Sequence, residues 1–231
     1  MTDQYLTPLD CLYRWEKECP EDIYLRQPRN RIWQEYSWQD VADEARQMAA
    51  ALKKLNIKKG HRVAIISKNC AEWIISDLAI MMNGAISVPL YPTQSDESMQ
   101  YILQHSGASV VFVGKLDNPE QVQKIIPANL TQIGFNYDGI HAPLMWNDLI
   151  QQHAPLANPY HPRLDDIFTI VYTSGTTGNP KGVVNNYRSA SFAATQGVNN
   201  FGLNRQDHAI SFLPLAHVAE RVMVELPSLY A

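Results

Sequence analysis

Apolar positions along this chain follow two periods, and the change between them divides its first half. Leu9, Leu12, Tyr13 and Glu16 fall at helical spacing behind Thr7-Pro8, where Thr can cap free amides and Pro suits a first turn. Pro20 stops that helix. Ile23 to Arg26 and Arg31 to Tyr36 read as a hairpin around Pro28-Arg29-Asn30. Ser37 then opens a long helix with Val41, Ala45, Met48, Ala49, Leu52 and Leu55 on one face, ending near Gly60.

Beyond residue 60 short apolar runs alternate with helical segments. Arg62 to Ser67 is a buried strand, and Asn69 with Glu72 three residues later makes a capping-box-like start to a helix through Met82, closed by Gly84. Ile86 to Leu90 is the next strand, Ser95 to His105 a helix closed by Gly107, and Ser109 to Val113 a third strand. A helix over Pro119 to Ile126 and a strand over Gln132 to Phe135 follow. Repeated strand–helix–strand units predict an α/β fold, a mostly parallel sheet flanked by helices. Pro155, Pro159 and Pro162 mark a loop before the best-defined strand, Ile167 to Tyr172. In open α/β sheets ligands sit just beyond the carboxyl ends of such strands.

Composition narrows the function classes. The 231 residues are 45% hydrophobic and 18% charged, with a net charge of -4. That is ordinary globular composition, and it lacks the Lys/Arg stripe that binds nucleic acid. Cys11, Cys19 and Cys70 have no Cys-x-x-Cys spacing, which predicts reduced thiols in a cytoplasmic setting and no zinc site. Met1 to Tyr5 lacks the basic start of a signal peptide, and the apolar stretch Ile74 to Tyr91 is interrupted by Asp77, Asn83, Gly84 and Pro89. Trp15, Trp33, Trp38 and the Ile74–Met82 face read as core.

The chemistry lies in Tyr172-Thr-Ser-Gly-Thr-Thr-Gly-Asn-Pro-Lys-Gly182. Gly175 and Gly178 permit a tight turn that brings backbone amides close to an anion. Thr173, Ser174, Thr176 and Thr177 add hydroxyl donors, Pro180 stiffens the exit, and Lys181 supplies one positive charge. Together they suit a polyphosphate. The run is not a Walker A loop, because Pro180 precedes the Lys and Gly182 follows it. A plain Ser/Thr/Gly surface turn is the alternative.

Residues 172–182 match throughout the signature of the acyl-adenylate-forming enzymes, which the chain therefore resembles. The resemblance extends to Asn69-Cys-Ala-Glu-Trp73, Asn83 to Thr93 and Tyr101 to Gly107, in matching order. Ser211-Phe-Leu-Pro-Leu-Ala-His-Val-Ala-Glu-Arg221 resembles the segment that lines the family's acyl pocket, with His217 beside the reacting carboxylate. A structural reading of His217, as a helix-start residue bonded to backbone, stands beside that one. The run Ala209 to Phe212 ahead of it reads as a strand. The His217, Glu220, Arg221 pattern looks most like long-chain fatty-acid–CoA ligases, although some bacterial members have a gating Trp where Arg221 falls. Asn185-Asn186-Tyr187-Arg188 also departs from the Thr/Ser-His-Arg of many members.

The resemblance implies a phosphate site at Thr173, Ser174, Gly175, Thr176, Thr177, Gly178 and Lys181, and a catalytic role for His217. It implies ATP, fatty acid and coenzyme A as small-molecule partners and Mg²⁺ as cofactor, with peripheral membrane contact left open. The family's metal-binding Glu, ribose-binding Asp and catalytic Lys motifs do not occur here. The expectation is an N-terminal fragment, inactive alone, with no metal ligand of its own. It would comprise a segment 1–58 belonging to an incomplete second sheet, an α/β subdomain 59–205 carrying the loop, and the start of the second subdomain at 206–231. Apolar surface on the two outer segments would favour self-association. A non-catalytic phosphate-binding module and adenylating enzymes for other acids or acceptors are the rival readings.

Overall fold

The computed structural model describes residues 5–173 and 178–231. Helix α1 (Pro8–Glu18) opens on a capping box: the Asp10 amide donates to Thr7 Oγ1 (3.3 Å), and the Thr7 amide donates to the Asp10 carboxylate (2.8 Å). The hairpin that follows is tighter than its sequence suggests. Strands β1 (Ile23–Arg29) and β2 (Ile32–Ser37) enclose only Asn30 and Arg31, both left-handed (φ 50° and 66°), the geometry of a two-residue turn matched to strand twist. Strand β2 is open along most of its length, so Trp33 stands 64% exposed rather than in the core, whereas Trp15 and Trp38 are buried. Ser37 and Asp40 form a second capping box ahead of α2 (Trp38–Lys54), which ends before the turn containing Gly60.

The main sheet contains β3 (Arg62–Ile66), β4 (Ile86–Leu90), β5 (Ala108–Val113), β6 (Thr131–Gly134), β7 (Leu144–Met145), β8 (Ile167–Thr173) and β9 (Lys181–Asn186). Their order is β7-β6-β5-β3-β4-β8-β9, and every pairing is parallel except β8 with β9. The connecting helices are α3 (Ala71–Met82), α4 (Asp96–Ser106), α5 (Pro119–Ile125), α6 (Trp146–Gln152) and α7 (Tyr187–Phe201). They cover both faces. The residues of α2, α3 and α6 join one apolar cluster with Val63, Ile65 and Phe112, while α4 and α5 cover Ala64, Ile66, Val88 and Val111 on the other. Strands covered on both sides read as unbroken apolar runs, as β3 and β4 do.

The end of the chain departs from its pattern. Ala209 to Phe212 forms no strand, for it has no strand beside it to complete the ladder, and Ile210 and Phe212 are exposed. A short helix α8 (Val218–Glu220), a π-helical turn (Arg221–Glu225) and helix α9 (Leu226–Tyr230) follow. Leu226 and Leu229 join the same cluster as α1, and the Trp15 indole donates to the Leu229 carbonyl (2.8 Å).

Candidate active site

Strands β3, β4 and β8 are parallel neighbours, so their carboxyl ends share one edge of the sheet. Growth of the sheet also reverses here, since β5 to β7 extend from one side of the β3–β4 centre and β8 from the other. Such reversals open a crevice at the strand ends.

The phosphate run is the connection of the β8–β9 hairpin. Thr173 pairs with Lys181, and both are exposed at the open end of the ladder. Ser174, Gly175, Thr176 and Thr177 lie outside the described residues. Gly178 has φ +149°, a conformation side chains disfavour, and among the described residues a Cβ there would meet nothing within 4 Å. Gly182 is required for a different reason: a Cβ would come within 2.9 Å of Ile170 Cγ2 and 3.2 Å of the Tyr172 ring. That ring lies beneath the hairpin, buried, with its hydroxyl 2.7 Å from His105 Nδ1 on α4. His105 in turn stacks on Tyr101, one helical turn earlier. Burial raises the Tyr172 hydroxyl pKa above its ordinary value, so the phenol stays neutral as an anchor.

His217 stands at the same edge. Its Nδ1 accepts the Ala219 amide (3.0 Å), capping α8, so a neutral ring carries its proton on Nε2. Among the described residues Nε2 has no hydrogen bond; the ring is exposed and meets Tyr91, just past β4, edge-on at 6.2 Å. The structural reading of His217 thus describes Nδ1, which caps α8, while Nε2 is left without a partner among the described residues.

Asn69 does not cap α3. Cys70 occupies that position without a side-chain cap bond, and Glu72 pairs with Arg29 from the hairpin. The Asn69 amide reaches instead to the segment before His217. Its Nδ2 donates to Ser211 Oγ (2.7 Å) and the Leu213 carbonyl (2.7 Å), and its Oδ1 accepts the Leu215 amide (3.0 Å). One turn after His217, Arg221 is only 2% exposed. It bonds Glu225 (2.9 Å), Asp77, Thr169 (3.1 Å) and Ser87 (3.4 Å), with its guanidinium 4.3 Å from the Phe168 ring centroid. Burial pushes the Glu225 carboxyl from its usual 4.5 up to about 8, against the pull of Arg221. The roles of Asn69, Tyr91 and His105 were missed in the sequence. Only the four-residue spacing of Tyr101 and His105 signals any of these partnerships there.

A cavity of about 1120 Å³ opens elsewhere, between the β1–β2 hairpin and the last helices, bordered by Trp15, Tyr24, Trp38, Ile74 and Met223. It touches Asn69, Ser211 and Leu215 but, among the described residues, neither His217 nor the β8–β9 connection. Among the described residues no three His, Cys, Asp or Glu side chains stand together as a metal site, and no helix is long and apolar enough to cross a membrane.

A parallel sheet with this hairpin and this clasped His segment at its carboxyl edge defines an adenylate-forming fold. The chain belongs to the AMP-binding enzyme family, whose model matches residues 12–231. It is similar to Long-chain-fatty-acid–CoA ligase ACSBG2 of Rattus norvegicus, 28% identical over 219 residues, covering 86% of this chain and 32% of that one. Long chain acyl-CoA synthetase 5 of Arabidopsis thaliana is 31% identical over 220 residues, covering 84% and 32%. The chain therefore spans about a third of the length of these curated relatives. Among solved structures, anthranilate CoA ligase AuaEII in complex with anthranoyl-AMP matches with a TM-score of 0.74 and 28% identity, over 84% of this chain and 38% of that one. O-succinylbenzoate coenzyme A synthetase of Bacillus subtilis, in complex with AMP, shares the fold with a TM-score of 0.76 at 23% identity, over 95% and 42%.

Proposed function

We propose that this chain supplies the phosphate grip and the carboxylate-side segment of an ATP-dependent acyl-activating enzyme acting on long-chain fatty acids. In the first step a fatty carboxylate oxygen attacks the α-phosphorus of ATP, and the bond to pyrophosphate breaks. In the second, the thiol of coenzyme A attacks the acyl carbon, AMP leaves, and the thiol proton passes to solvent. The first step depends mainly on position and charge, which a donor-rich connection and Lys181 can supply. His217, with its proton on Nε2, is suited to donate a hydrogen bond to the carboxylate oxygen that is not attacking.

The observation that carries this reading is the run Tyr172–Gly182 set as a hairpin connection at the carboxyl end of β8. Exposed Lys181 and the run's hydroxyl-rich sequence support ATP phosphates as the ligand, and among the described residues a Cβ on Gly178 would meet nothing within 4 Å. Mg²⁺ would come with the nucleotide, and no step here gives it a ligand in this chain. Likeness to long-chain ligases favours a fatty acid, while the likeness to an anthranilate CoA ligase keeps an aromatic acid as the second reading. Acid-dependent exchange of pyrophosphate into ATP, measured with fatty and aromatic acids on an activity-competent protein carrying this chain, tests both. No exchange with either acid contradicts the proposal.

The 231 residues alone are proposed to be inactive; turnover by them would overturn that part. The division at 58/59 and 205/206 is proposed because the seven-stranded sheet and α7 lie wholly within 59–205, and limited proteolysis at those two points tests it. Self-association through exposed Ile210 and Phe212 is proposed too, and a strictly monomeric chain in light scattering counts against it.

A further inference from the structure

We infer that Asn69 is a positioning residue for the carboxylate side of the site, acting through His217; the inference rests on the role proposed above for that histidine. Asn69 follows β3 at the centre of the sheet, and its amide spans to residues more than a hundred positions later. Its orientation is decided by its partners. The Leu215 N–H can be met only by the amide oxygen and the Leu213 carbonyl only by the NH₂, so the three bonds hold together in one flip state.

The segment it grips has no other regular support. Ser211 to Leu213 belongs to no sheet, and Phe212 and Leu213 are exposed. Two residues past the last bond, the His217 amide closes a turn on the Pro214 carbonyl (2.8 Å). Leu215 and Ala216 between them are buried, so a shift at Leu215 passes to His217 with little slack. On the far side, the Arg221 network fixes the helix after the histidine. Asn69 is the clasp on the near side, joining the sheet centre to the ring that faces Tyr91.

A residue that merely fastens a loop would lower stability without favouring one substrate. A positioning residue should affect the acid and spare the nucleotide. The test compares wild type, Asn69→Ala and Asn69→Asp; the Asp variant keeps an acceptor for Leu215 but loses both donors. Side-chain ¹H–¹⁵N spectra of His217 on the 231-residue chain should show one Nε2–H tautomer in wild type and a mixed pattern in Asn69→Ala, with Asn69→Asp between. The Leu215 amide should exchange roughly tenfold faster in Asn69→Ala once its acceptor is gone. In an activity-competent protein carrying this chain, KM for the acid should rise roughly tenfold while KM for ATP moves less than about twofold.

An unchanged His217 spectrum overturns the inference whatever the activity, and so do equal shifts in the two KM values. Wild type without acid-dependent exchange sinks the functional reading instead, and the spectra alone then decide the claim about Asn69. Should Asn69→Ala fail to fold, Ser211→Ala removes one of the partners and is expected to show the same changes at smaller size.

Discussion

Lys181 and Arg221 are cations in the chain's two motifs, and their surroundings are opposite. Lys181 begins an edge strand and is exposed. Arg221 is 2% exposed and bonded to four side chains on α3, β4, β8 and its own helix. In the proposed reading one charge serves a ligand; the other holds the helix that follows His217. The half proposed to grip phosphate thus keeps its cation accessible, while the half proposed to meet the carboxylate is clasped from the interior.

The contrast can be broken most severely at Arg221. Arg221→Met leaves the buried Asp77 and Glu225 side chains without their shared cation, and losing one partner of such a group costs about 3–5 kcal/mol. Urea denaturation should show a large fall in midpoint; an unchanged midpoint would mean that the buried network does not hold the helix.

A pH series sharpens the same half. Glu225 titrates higher in the folded chain, at about 8 against the usual 4.5, so the folded state binds the extra proton between those values. Its contribution to stability is fully present below 4.5 and is lost as pH rises to about 8. Burial raises Asp77 in the same direction. Glu225→Gln should flatten the slope of thermal stability over that window, and an identical slope would contradict the assignment.

Lys181→Ala should leave stability within about 0.5 kcal/mol, as at an exposed site away from packing. It should weaken ATP binding about tenfold or more, the worth of a charged hydrogen bond, as read by titration calorimetry. Gly178→Ala is the mildest change. Its φ of +149° costs a side chain about 1 kcal/mol of strain, so a small loss in melting temperature and a modest loss of ATP affinity are expected.

What could be read in the sequence was whatever is local. The Thr7–Asp10 and Ser37–Asp40 caps span three residues, and the run Tyr172–Gly182 holds its chemistry within one connection. What could not be read depends on partners far away along the chain. Asn69 has the composition of a helix cap and bonds Ser211 to Leu215 instead; Arg221 gives no sign of Asp77. The apolar run at Ala209–Phe212 suggests a strand, yet pairing needs a neighbour that this edge does not provide. Strand β9 went unnoticed for the converse reason, since Val183 and Val184 sit exposed between Gly182 and two asparagines. For His217, the family resemblance marked the residue, and only the structure shows that Nδ1 is taken up in capping α8.

The central claim is that the β8–β9 connection grips the phosphates of ATP. The most direct test is a backbone amide titration of the isotopically labelled chain with millimolar ATP, in wild type and Lys181→Ala. The account predicts shifts concentrated at Thr173 and at Gly178 to Gly182 except Pro180, strongly reduced in the variant. Shifts confined to the cavity beneath the β1–β2 hairpin, or a response that ignores the loss of Lys181, would contradict it.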